Sequence, residues 1–184
     1  MITALVLFAI QGALGAFDTL YYHEYRARLP GGVPGTAPEL VLHAVRDLIY
    51  AFLFAALPFL RFDGALVLVV GALLLAEIGI TLRDFVVEDT VRKPLGGVYP
   101  GERVTHAVMG ILYGGALAFL VPTLTEGWAR PTAITAWNAP IGLRIVLPLM
   151  AVGVFLSGLR DLAAVYGPDW ARYPWGSANP SRDT

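Results

Sequence analysis

Six residues whose types suit metal or proton chemistry sit inside apolar runs of this chain: Asp18, His43, Asp47, Glu77, Asp84 and His106. Their spacing is helical. His43 and Asp47 are four apart with Tyr50 three further on. Glu77, Thr81, Asp84 and Glu88 repeat at four, three and four, and Glu102 and His106 are four apart, followed by Met109 and Tyr113. Asp18 continues a stripe running from Gln11 through Gly15 to Tyr22 and Tyr25. Each set therefore falls on one face of its helix.

Four carboxylates and two imidazoles form a donor set for one or two divalent ions of iron, zinc or manganese, and the chain's lack of cysteine excludes thiolate ligation and iron–sulfur clusters. In inventory the set is similar to the di-iron and di-manganese sites of ferritin-like helix bundles and of membrane-bound di-iron oxidases. The E-x-x-H pairs of those families are absent; "HAVRD" and "ERVTH" stand instead, and three histidines are too few for the boxes of membrane desaturases. The chain is therefore assigned to no family. Arg46 and Arg83 are placed to meet an anionic headgroup, with Glu88, Tyr22 and Tyr50 in supporting positions. A single zinc held by both histidines and one or two acids is a variant of the same reading.

Two other readings use the same residues. Arg46, Arg83, Arg103 and Arg160 lie at the same helix ends and can compensate the acids as a metal-free ion-pair network. His43 and His106 can instead be axial ligands of a b-type haem, which leaves the acids unexplained. His23 and Glu24 are expected near the interface as a solvated pair beside the arginines. Glu88, Asp89 and Glu102 are expected at headgroup level, against Arg92, Lys93 or Arg103.

The elements that position these residues are long and apolar. The 184 residues are 57% hydrophobic and 15% charged, with a mean hydropathy of +0.64, whereas soluble domains run about 25% charged. This composition predicts an all-α integral membrane protein: a bundle of five transmembrane helices at about 2–26, 38–60, 64–90, 101–124 and 141–164 in one domain, 1–165, with an interfacial or cytoplasmic tail, 166–184. Pro- and Gly-rich breaks such as "RLPGGVPGTAP" and "RKPLGGVYPG" separate them. Trp128, Trp137, Tyr21, Tyr22, Tyr25 and Tyr99 suit interfacial belts. Pro58, Pro122 and Pro148 mark ends or kinks, and Gly110, Gly114 and Gly115 mark close helix packing. The first run lacks a cationic start and continues into Asp18, so it reads as a retained helix.

Counting 1.5 Å per residue from one end of each helix puts Asp18 about 10 Å deep, His43 about 8, Asp47 about 14, Glu77 about 18, Asp84 about 8 and His106 about 9. They share one slab. An ionised group at the bilayer centre costs at least ~2.5–3.5 kcal/mol on the insertion scale, so these stripes must turn inward and find compensation. The expected function is a membrane metalloenzyme, oxidoreductase or hydrolase, acting on a lipid-like or quinone-like molecule; the alternative is a proton or cation transport component or accessory subunit. The partners expected are the bilayer, that small molecule and a homo-oligomer. The net charge of −1 and the absence of a cationic run exclude nucleic acid.

With five spans, ten of the thirteen Lys and Arg residues fall on the side holding the C-terminus. The positive-inside rule makes that side, and the site with it, cytoplasmic in a bacterial-type inner or plasma membrane, with the N-terminus outside. Fusion reporters placed at Thr184 and at Pro131 are expected to report opposite compartments; a shared compartment contradicts the count.

Overall fold

The computed structural model describes residues 1–31 and 33–172, so the part of the expected tail beyond Arg172 lies outside the described residues. Five helices account for most of it: α1 (Ile2–Phe17), which runs on into a π-helical segment (Asp18–Arg26), α2 (Ala37–Ala56), α3 (Leu66–Val91), α4 (Pro100–Trp128) and α5 (Ile141–Tyr166). Four stretches, Ile2–Gly31, Leu66–Val91, Pro100–Trp128 and Ile141–Tyr166, are long and apolar enough to cross a membrane. α2 is the exception to the expected five, because its twenty residues carry Glu39, Arg46 and Asp47. It is held against α3 and α5, and buries more of its length than the other helices.

The helix boundaries follow local chemistry. Pro100 stands at the first position of α4, where the missing N–H costs nothing. Pro122 and Pro148 lie inside α4 and α5, as apolar surroundings allow when neighbouring groups take up the freed carbonyls. The Thr125 hydroxyl donates to the carbonyl of Pro122 itself at 2.8 Å. Pro58, by contrast, follows the end of α2.

Two short strands depart from the all-helical expectation. β1 (Leu60–Asp63) and β2 (Ala133–Ala136) pair antiparallel, with Arg61 opposite Thr135 and Phe62 opposite Ile134. They tie the α2–α3 turn to the α4–α5 connection. Their four-residue lengths lie below what periodicity can reveal. Beside them Trp137 donates its indole N–H to the Leu57 carbonyl at 2.9 Å, and Asp63 is buried against Thr135 and Arg130.

The interior is layered along the bundle. Toward the strands lies a continuous apolar cluster including Leu5, Phe8, Leu53, Phe54, Leu120 and Leu147. Toward the other end a small one, Ala27, Leu29, Leu40 and Ala164, forms a plug. Most of the buried acids and all three histidines belong to neither cluster.

Of the three glycines expected to pack closely on α4, Gly115 does so, with Leu7 Cδ1 of α1 3.3 Å from where its Cβ would stand. Gly110 and Gly114 face outward, with nothing near the place a Cβ would occupy, whereas Gly158 of α5 has the Ala44 carbonyl and Asp47 Cβ of α2 each 3.1 Å from where its Cβ would stand. Gly158→Val is expected to force α5 off α2 and lower the thermal unfolding midpoint in detergent by several degrees, the equivalent of about 1–3 kcal/mol of overpacking. Gly153→Val, at an open position of the same helix, is the control expected to leave the midpoint unchanged.

Candidate metal centre

A change of helical winding brings the histidines together. At ~100° per residue an α-helix sets Asp18 and His23 about 140° apart. In the π-helical segment each N–H reaches back five residues, as Ala27 does to the Tyr22 carbonyl at 2.8 Å. His23 Nε2 is then 3.3 Å from Asp18 Oδ2, with both side chains buried.

α4 supplies the facing pair. Glu102 is the third residue of the helix, and its Oε2 accepts the Tyr99 backbone N–H at 3.3 Å, which caps the helix and fixes the carboxylate. Its Oε1 is left for Arg92 Nη2 at 3.1 Å and His23 Nε2 at 3.2 Å. One turn on, His106 places Nε2 3.1 Å from Asp18 Oδ2 and Nδ1 3.6 Å from Glu88 Oε1. Asp18, His23, Glu102 and His106 thus offer donor atoms that all lie within 4.8 Å of one another. His23, Glu39 and His43 form an adjoining set of the same compactness. The His23 and His43 rings stack at 4.6 Å and 6°, and His43 Nε2 lies 3.1 Å from Asp84 Oδ2 and 3.9 Å from Glu39 Oε1.

Arg92, just past α3, holds the two sets in register. It is fully buried and donates to Glu39 from Nε at 2.9 Å to each oxygen and from Nη2 at 2.7 Å, while Nη2 also reaches Glu102. One cation thereby joins the first turns of α2 and α4. Arg46 does a similar service for Asp84 at 3.2 Å, and Arg160 pairs with Glu24.

The six residues singled out from the sequence divide into three groups. Asp18, His43 and His106 enter the two compact sets, and Asp84 borders them through His43. Glu77 is buried roughly 10 Å further along α3 than Asp84, where it accepts hydrogen bonds from Tyr50 at 2.8 Å and Thr81 at 3.0 Å. Gln11 donates to the same Tyr50 hydroxyl at 2.6 Å. Asp47 is half-buried toward Ser157 and Gly158 of α5, near the buried Asp161. Neither Glu77 nor Asp47 joins a compact set among the described residues.

Several expected surroundings change. His23 is an interior residue shared by both sets rather than a solvated one, while Glu24 does meet an arginine. Glu88 and Glu102 are buried instead of lying at headgroup level. Arg83 and Arg103 are exposed and Arg92 takes the compensating role. Tyr22 is half-buried and stacks on Tyr99 at 6.0 Å. A haem between His43 and His106 does not fit, because the His23 ring stands beside both, stacked on one and 6.4 Å from the other, and each candidate axial nitrogen faces a carboxylate at 3.1 Å.

The donor chemistry fits a divalent ion. Tetrahedral bonds of ~2.0–2.1 Å put ligand atoms roughly 3.3–3.4 Å apart, close to the 3.1, 3.2 and 3.3 Å separations within the first set. Three buried carboxylate oxygens, Asp18 Oδ1, Asp84 Oδ1 and Glu88 Oε2, make no hydrogen bond, and His23 Nε2 and His106 Nδ1 meet carboxylates without a well-formed one. Neither the protein-family models, the curated proteins nor the solved structures contain a match to this chain. The chemistry of the site therefore rests on its own residues.

Arg92→Met removes the cation from between two buried carboxylates and is expected to destabilise the fold by about 3–5 kcal/mol. Arg103→Met, at an exposed position, is expected to stay within about 0.5 kcal/mol. Denaturant titration of both variants in detergent compares them; equal effects would mean that Arg92 does not carry the buried charge.

Proposed function

We propose that the chain is a membrane-embedded metalloprotein whose polar end holds a divalent iron, manganese or zinc ion through Asp18, His23, Glu102 and His106. One observation carries this reading: four buried donors of metal-ligating type, from the π segment and α4, lie within 4.8 Å of one another. Charge supports it. Asp18, Glu39, Asp84, Glu88 and Glu102 surround the three histidines, and Arg46 and Arg92 pair with them, so five carboxylates and these two guanidiniums among the described residues sum to three negative charges in a low-dielectric interior. A bound divalent ion removes two of these and takes up the unbonded carboxylate oxygens and the histidine nitrogens as ligands.

The function that suits such a centre is catalysis on an amphipathic, lipid-like or quinone-like molecule. The bundle's outer surface is apolar, with Leu75, Val86, Ile111 and Leu149 among its exposed residues, so a hydrophobic molecule can partition alongside while its polar end approaches the ion. The ion would supply Lewis acidity or electron transfer. His23, His106, Asp18 and Glu102 would hold it, Arg92 would fix the Glu102 carboxylate in place, and the partly exposed Arg46 would offer a positive contact beside the buried Asp84.

A second reading has its own observation. Three histidinium ions would neutralise the same three charges without metal, and every histidine faces a carboxylate. That arrangement is a proton relay or a structural ion-pair network. Elemental analysis after purification without chelator and supplementation with each metal separates the readings. The metal reading expects about one equivalent or more per chain, an unfolding midpoint raised by added metal, and binding at least about 10-fold weaker in His23→Ala and His106→Ala. Metal-free wild-type protein whose proteoliposomes conduct protons would favour the relay.

A further inference from the structure

We propose that the bundle carries a second metal position beside the first, formed by Glu39 and His43 of α2 with Asp84 of α3, so that the complete centre is binuclear. The second position presupposes that the first is a metal site. A spacing repeated in the chain points to it. Glu39-x-x-x-His43 and Glu102-x-x-x-His106 are the same pair at the same offset, near the starts of α2 and α4. Asp84-x-x-x-Glu88 repeats the offset on α3, and Asp18 with His23 reproduces it across the π segment at five residues. Four helical segments thus each contribute two donors one turn apart.

In the second group one nitrogen meets both acids. His43 Nε2 stands 3.1 Å from Asp84 Oδ2 and 3.9 Å from Glu39 Oε1, separations that an ion with bonds of about 2.0–2.2 Å can span. Asp84 is buried to 1% exposure and its Oδ1 has no partner. An ion here would adjoin the first because His23, a member of the first set, also lies within 4.8 Å of the Glu39 and His43 donors. Arg92 binds Glu39 on one side and Glu102 on the other, so it fixes the separation of one carboxylate from each position.

Charge distinguishes one ion from two. With one divalent ion the five carboxylates and two guanidiniums still leave a net negative charge. Two divalent ions and one hydroxide leave none, which is the state least penalised in an apolar interior.

Titration of Mn(II) into the detergent-solubilised full chain tests this, with electron paramagnetic resonance as the second readout. Wild type is expected to bind two equivalents and show a spin-coupled signal at saturation. His43→Ala and the isosteric Asp84→Asn are each expected to retain one equivalent, seen as the isolated six-line spectrum. Should His43→Ala fail to fold, Asp84→Asn alone decides. One equivalent in wild type, unchanged in the variants, overturns the second position and leaves the first intact. Two equivalents retained by the variants, or both ions lost from each, also overturns it. Wild type that binds none defeats both positions.

Discussion

Buried carboxylate charge is the constraint from which the rest of this structure follows. Removing an ionised group from water costs several kcal/mol even after relaxation, and here Asp18, Glu39, Asp84, Glu88 and Glu102 are all in the interior of one end of an apolar bundle. Arg92 answers part of the demand, and its position just beyond α3 determines how α2 and α4 begin. The plug of Ala27, Leu29, Leu40 and Ala164 then closes the end over the charged layer. Water is thereby kept from doing the compensating, and the histidines with their partnerless neighbours are what remains to do it.

How the helices wind decides which residues can take part. A continuous α-helix from Ile2 would send His23 away from Asp18. The π segment turns it inward and makes it common to both donor sets. π winding recurs where a helix must present a side chain off the ordinary phase, and here it brings His23 against Asp18, Glu102 and the His43 and His106 rings.

The helices, their approximate ends and the shared polar layer are legible in the sequence because they depend on hydropathy and 3.6-residue phase. Asp18, His43, Asp84 and His106 can be found by depth and face alone. His23 cannot, because its phase is that of a π-helix. Glu39 reads as a helix-end residue since it follows Pro38, yet it is fully buried, as are Leu29 and Thr36 before it. The repeated Glu-x-x-x-His spacing is the available signal for it. Arg92 is readable only as a partner for acids at the interface, and Glu77 shares the depth argument but belongs to a separate Gln11–Tyr50–Glu77 network. The β1–β2 pair is too short for any periodic signature.

An apolar exterior suited to a bilayer thus encloses an interior donor set suited to a divalent ion. X-ray absorption at the K-edge of manganese- or zinc-loaded protein examines that union most directly. A bound ion in this donor set is expected to show a shell of nitrogen and oxygen at about 2.0–2.2 Å, with the outer scattering of two or more imidazoles that weakens in His23→Ala. An ion surrounded by water oxygens without imidazole scattering, or no ion retained after loading, would contradict it.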